Sequence, residues 1–264
     1  MRAAAADLLL GARCAACTRP GPALCSACRR ALVARPRPRW PDPPPAELLQ
    51  QRVPPYAAGD YAGVLRRLVV AYKDGGRAGL VDPLGRLLAS VVEHGMAAGH
   101  AGPVGAVELV PVPSSHASRR RRGRDPVADL ARLAAGRLRR RGVPARVVPR
   151  LTHRRRVEDQ AGLDAVARAA NLRDAMVARA AGPGVGPEVG PVAAMSVVRV
   201  VVDDVLTTGA TVAEAVRVLR GAGFPVHLVA TVGATPRRTA PGSRTATLHF
   251  RSGGRPTSVR TPTG

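Results

Sequence analysis

The chain has 264 residues and a formal net charge of +23, from 41 basic against 18 acidic side chains. Hydrophobic residues make up 45% but aromatics only 2%, so the chain folds around a core of Val, Leu and Ala. The length suits one substantial α/β core plus a small appendage. The charge favours phosphate-rich partners, while the scarcity of rings disfavours a dedicated base-stacking platform.

The first residues, MRAAAADLLLGARC, imitate a signal peptide, but Asp7 interrupts the apolar run and Arg13 precedes Cys14. A short amphipathic helix is the expectation there. No apolar run approaches the ~20 residues needed to span a bilayer, so the expected location is the cytoplasm, without membrane insertion. Cys14, Cys17, Cys25 and Cys28 form CxxC, seven residues, CxxC, and are the chain's four cysteines. Each CxxC turn places two thiolates on one side of a cation, and two turns complete a tetrahedron. Disulfides or a redox dithiol fit an intracellular chain poorly, and a redox site needs one CxxC. Residues 1–33 therefore read as a structural Zn2+ module, with Arg13, Arg19, Arg29 and Arg30 offsetting its negative charge.

Residues 34–55, rich in Pro and Arg, read as a linker. From Tyr56 a body begins, with helices expected over 62–72 and 82–96 from their apolar spacing. Lys73, the sole lysine beside forty arginines, follows the first of them. VELVPVPSS, 107–115, reads as a strand entering a Pro-Val-Pro turn, and RRRRGR, 119–124, as a basic segment. A helix over 126–141 and a strand over 145–148 follow. THRRRVEDQ, 152–160, reads as a polar, mobile loop, followed by a helix over 160–176 and a flexible Gly/Pro connection at 182–191. A strand at 197–202, a helix at 212–222 and a strand at 226–232 complete the body, which spans 56–234. Residues 235–264 form a polar basic tail with one possible strand at 245–250 and a disordered end. Strands alternating with helices of ten or more residues argue for a parallel α/β sheet. The uninterrupted valine run, 197–202, has the composition of a central strand buried on both faces.

That valine strand ends on Asp203 and Asp204, and the turn Leu206-Thr207-Thr208-Gly209-Ala210-Thr211 leads into a helix. In a parallel sheet, ligands bind beyond the carboxyl ends of strands. A helix start offers free N–H groups and partial positive charge, Gly209 permits close backbone approach, and three threonine hydroxyls can donate to phosphate oxygens. Two carboxylates beside a phosphate cradle fit a ribose 5-phosphate unit. A P-loop is excluded because the single lysine lies elsewhere. The competing readings are Mg2+ binding by the aspartates alone and plain helix capping by the threonines. Ser114, His116 and Asp125 suggest a hydrolase trio, but no nucleophile elbow accompanies them.

VVVDDVLTTGAT resembles the phosphoribosyl-pyrophosphate (PRPP) signature of the type I phosphoribosyltransferases. The rest of the chain narrows the resemblance to the ComF family, competence-associated phosphoribosyltransferase-like proteins. The features are the leading four-cysteine module, Val110-Pro111-Val112-Pro113, Arg122-Gly123, and Gln160, Leu163, Arg168, Asn171 and Leu172. The chain departs from the family pattern at Val157 and at Arg124-Asp125-Pro126. The resemblance implies a Rossmann-like parallel sheet of the type I phosphoribosyltransferase kind with a small N-terminal zinc module. It implies that Asp203 and Asp204 hold the ribose hydroxyls, directly or through Mg2+. Thr207, Thr208, Gly209, Ala210 and Thr211 would hold the 5′-phosphate. The turn Val112-Pro113-Ser114-Ser115 would present backbone N–H groups to the pyrophosphate. Arg154, Arg155 and Arg156 would lie on a mobile loop that closes over the leaving group. The implied partners are PRPP and, through the basic surface, single-stranded DNA or the competence machinery. Three functions follow as expectations: a phosphoribosyltransferase of open acceptor, a non-catalytic PRPP-binding protein that contacts DNA, and a nucleobase salvage enzyme.

Overall fold

The structure, a computed structural model, describes residues 13–99, 104–154, 175–179 and 196–236. The elements run α1 (Ser26–Ala31), β1 (Arg37–Pro38), α2 (Ala46–Gln50), β2 (Pro55–Ala57), α3 (Gly63–Lys73) and a 3-10 turn (Ala78–Leu80). They continue with α4 (Val81–Gly99), β3 (Val104–Pro111), α5 (His116–Arg122), α6 (Pro126–Arg140), β4 (Ala145–Val147) and β5 (Leu151–His153). β6 (Met176–Ala178), β7 (Ser196–Leu206), α7 (Ala210–Gly221) and β8 (Leu228–Ala234) complete the order. The expected N-terminal helix, the 160–176 helix up to residue 174, the 182–191 connection and the 245–250 strand lie outside the described residues; the end of that expected helix is corrected, because Ala175 is a bend and Met176 opens β6.

Among the described residues six strands form one sheet in the order β1-β2-β8-β7-β3-β4, and β5 pairs with β6 in a separate antiparallel two-stranded sheet. β2, β8, β7, β3 and β4 run parallel, and only β1 is antiparallel to its neighbour. β7 is central, as the valine run demands, and its side chains serve both faces. Val198, Val200 and Val202 pack with α3, α4 and α6, whereas Val201 packs with α7. Helices on both faces satisfy the rule that a parallel sheet must be buried twice. α4 and α6 approach closely at Gly85, where a Cβ would sit 2.3 Å from Leu133 Cδ2.

Residues 34–55 correct the linker reading. Trp40, Leu48 and Val53 are buried in the α7-side core, and β1 pairs with β2. Arg35 and Arg39 donate their N–H groups to Ala58 and Pro55 carbonyls. Alternation then points Pro36 and Pro38 outward, where no N–H can recruit another strand, so proline protects this edge rather than marking a tether. The cysteine module is likewise fused to the body. Cys14, Ala16, Leu24 and Cys28 belong to the same buried cluster as α3, α4 and α6.

Two further differences are local. The basic segment is the helix α5: Ser115 Oγ accepts from the Ser118 N–H at its start, and Gly123 ends it at φ +65°. Thr152 and His153, expected in the polar loop, lie instead in β5, where residues 151–153 pair with 176–178.

On the α7 side lies a buried ionic cluster absent from the sequence-based expectations. Glu108 of β3 is fully buried among three arginines: Arg199 Nε donates at 2.7 Å, Arg146 Nη2 at 2.5 Å, and Arg150 Nε lies 3.6 Å away. Arg150 stacks on Phe224 at 4.1 Å. Burial works against the ionised carboxylate, but the arginines hold its pKa below the usual glutamate range.

Candidate functional site

β7 carries its charges to the carboxyl edge of the sheet. Asp204 is buried, with a side chain 4% exposed, and its Oδ2 lies 2.7 Å from Lys73 Nζ. Asp203 Oδ1 accepts from the Asp204 N–H at 2.8 Å. Desolvation and the neighbouring Asp204 charge push the Asp203 pKa up to about 8, with Lys73 pulling the other way. For Lys73, burial alone would lower the pKa, but Asp204 overcomes it and raises the ammonium's pKa. The corner therefore sets two carboxyl groups beside one ammonium, and a proton held by Asp203 relieves the repulsion between them.

The turn after β7 leaves Thr207 and Thr208 exposed and Gly209 buried. Gly209 adopts φ +77° at the N-cap of α7, and no side chain caps the helix. Thr208 Oγ1 makes only a long contact, 3.4 Å, from the Ala210 N–H. With no side-chain cap among the described residues, the amides of the first turn are able to donate to an anion. The plain capping reading of the threonines is not what the structure shows. A Cβ on Gly209 would meet Pro41 Cγ and Pro45 Cγ, each at 2.9 Å. The Pro-rich segment is the wall behind this glycine turn.

The turn after β3 arrives at the same edge, since β3 and β7 are paired up to Pro111↔Val202. It offers fewer free amides than expected. The Val112 N–H bonds Val202 O at 2.9 Å, Pro113 has none, and the Ser114 N–H donates to Asp125 Oδ2 at 3.3 Å. Ser114 Oγ also donates to Asp125, at 3.0 Å, while Asp125 caps α6 through the Ala128 N–H. Ser114 and Asp125 therefore brace the loop to the start of α6.

The parts are tied together around the end of α3. Arg122 Nη2 pairs with Asp74 at 2.7 Å. Arg124 lies 4.3 Å over the Tyr72 ring and donates to the Tyr72 carbonyl. Tyr72 Oη donates to Pro126 O at 2.9 Å. Lys73, between Tyr72 and Asp74, is held from both sides. His153 Nε2 lies 2.9 Å from Pro113 O, which anchors the β5–β6 sheet to the β3 turn. The exposed Arg154 emerges beside that anchor, while Arg155 and Arg156 lie outside the described residues. Tyr72 and His153 were not found from sequence. Nothing local marks Tyr72, and the arginine run overshadows His153.

The four cysteine sulfurs form a second site. All lie within 4.8 Å of one another, and no disulfide joins them. Cys17 Sγ and Cys25 Sγ are 3.7 Å apart. A tetrahedral Zn–S4 centre with bonds of about 2.3 Å has edges of about 3.8 Å. The Cys25 N–H points at Cys14 Sγ, 3.5 Å away. The cluster is able to hold a metal ion.

Among the described residues no helix is long and apolar enough to cross a membrane. No protein-family model matches the chain, and no curated protein matches it.

Proposed function

We propose that the chain is a PRPP-binding, phosphoribosyltransferase-like protein of the ComF type, with structural zinc at Cys14, Cys17, Cys25 and Cys28. The observation that carries this reading is the convergence at one sheet edge of an acidic pair, an uncapped helix start and a second strand-end turn. A ligand with a 5′-phosphate and vicinal hydroxyls has groups that suit the first two: an anion for the helix start and donors for the carboxylates. Thr207, Thr208, Gly209, Ala210 and Thr211 take the 5′-phosphate on the α7 amides. Asp203 and Asp204 accept from the ribose hydroxyls or hold Mg2+, for which hard carboxylate oxygens are the fitting donors. Mg2+ supplies charge neutralisation for a departing pyrophosphate. The reaction served is displacement of pyrophosphate at the anomeric carbon by a nitrogen nucleophile. Because Val112, Pro113 and Ser114 spend or lack their N–H groups, the pyrophosphate side depends more on cationic side chains, with Arg154, next in sequence to the His153 anchor, as a candidate.

Equilibrium binding of labelled PRPP in Mg2+ tests this, with ribose 5-phosphate and inorganic pyrophosphate as competitors. Displacement by both supports a two-ended site. Absence of saturable binding by folded, zinc-loaded protein contradicts it.

A second reading is a non-catalytic PRPP-binding protein that contacts single-stranded DNA through its basic surface. It draws on a cavity of about 240 Å³ lined by Arg86, Arg137, Arg140 and Arg141. Asp82 and Glu93 already pair with three of these arginines. DNA binding that weakens steeply with salt and survives Asp203→Asn would favour it.

A further inference from the structure

Lys73 is singular in this chain, and its place is informative. A residue chosen for bulk positive charge would be arginine here, as at forty other positions. Lys73 instead puts a compact ammonium 2.7 Å from Asp204 Oδ2, beside Asp203, at the last residue of α3. An ammonium is a point charge with rotatable donors, whereas guanidinium is a planar fork. Only the former mimics the size and position of a metal ion between carboxylates. Its side chain is 41% exposed while that of Asp204 is 4% exposed, so the lysine can withdraw into solvent without dragging the carboxylate with it. Its neighbours on either side are anchored through their side chains, Tyr72 to the Pro126 carbonyl and Asp74 to Arg122.

We propose that Lys73 is an exchangeable counter-cation. It neutralises Asp204 in the ligand-free protein, and Asp204 trades it for a divalent cation when the phosphate ligand arrives. This rests on the ribose-phosphate reading for the identity of the ligand, but not for the exchange itself. Lys73 is thus a positioning residue acting through Asp204. It keeps the acidic pair occupied without ligand and makes divalent-cation binding conditional on the anion.

The test uses zinc-loaded full-length protein and Mn2+ alone, followed by electron paramagnetic resonance of free Mn2+. A charge-assisted hydrogen bond shifts an equilibrium by about 10- to 100-fold. Lys73→Met should therefore bind Mn2+ at least about ten-fold more tightly than wild type, Lys73→Arg should not, and Lys73→Met/Asp204→Asn should lose the gain. A folded Lys73→Met protein with wild-type Mn2+ affinity overturns the proposal, as does a gain that persists in the double variant. Titration of wild type with PRPP separates the two readings. The Mn2+ gain without PRPP binding leaves the exchange standing and the ribose-phosphate reading fallen. PRPP binding without the gain does the reverse.

Discussion

Replacing Gly209 by alanine tests whether the Pro-rich segment forms the back wall of the turn between β7 and α7. Gly209 sits at φ +77°, a conformation that costs a residue with a Cβ about 1–2 kcal/mol. The added Cβ also lies 2.9 Å from the Cγ atoms of both Pro41 and Pro45. Proline rings do not rotate away, so overpacking adds about 1–3 kcal/mol. Gly223→Ala is the control, because φ is +82° there and no atom of the described residues lies within 4 Å. The unfolded-state entropy gain of Gly→Ala is shared by both variants and cancels in the comparison. Gly209→Ala should therefore lose about 1–3 kcal/mol more than Gly223→Ala in urea denaturation. At roughly 2–4 °C per kcal/mol for a chain of this size, the gap in Tm is several degrees. Equal losses, within about 0.5 kcal/mol, would show that residues 41–45 do not press on the turn.

Three further outcomes follow from the same geometry. Glu108→Gln should cost about 3–5 kcal/mol, because it leaves three arginines around an uncharged centre. The folded Glu108 pKa is depressed, so its contribution is present above the unfolded value near 4 and is lost as pH falls further; acid titration of wild type against the variant should show the difference closing there. Asp203 keeps a proton in the free protein below about 8, so cation-dependent ligand binding should strengthen as pH rises to 8 and then level off. Calorimetry in buffers of different ionisation enthalpy should detect proton release at pH 7 and almost none at pH 9. Metal analysis should find one zinc per chain, and removing it or making Cys28→Ser should lower the Tm of the whole protein, since Cys14 and Cys28 share a core with α3, α4 and α6.

What was readable in the sequence was what is periodic or locally punctuated. The valine run gave the central strand, and the apolar spacing gave α3, α4, α6 and α7 to within a few residues. Charge and proline hid the rest. α5 lies inside an arginine run, although Ser115 and Gly123 are its start and stop signals. The segment 34–55 looked like a tether because proline density outweighed three apolar residues, Trp40, Leu48 and Val53. Glu108, a lone charge in an apolar strand, was a visible anomaly that calls for buried partners; those partners come from β4, from β7 and from the stretch before β5. The candidate carboxylates and the turn between β7 and α7 were readable because they are contiguous. The Lys73–Asp204 pair was not, because 131 positions separate its members and only the sheet order brings them together.

The most direct test of the ribose-phosphate site is calorimetric titration of zinc-loaded protein with PRPP, with and without Mg2+, beside Asp203→Asn/Asp204→Asn. Saturable, Mg2+-strengthened binding that the folded double variant loses would support the site at the end of β7. Binding that persists unchanged in the variant, or none in wild type, would contradict it.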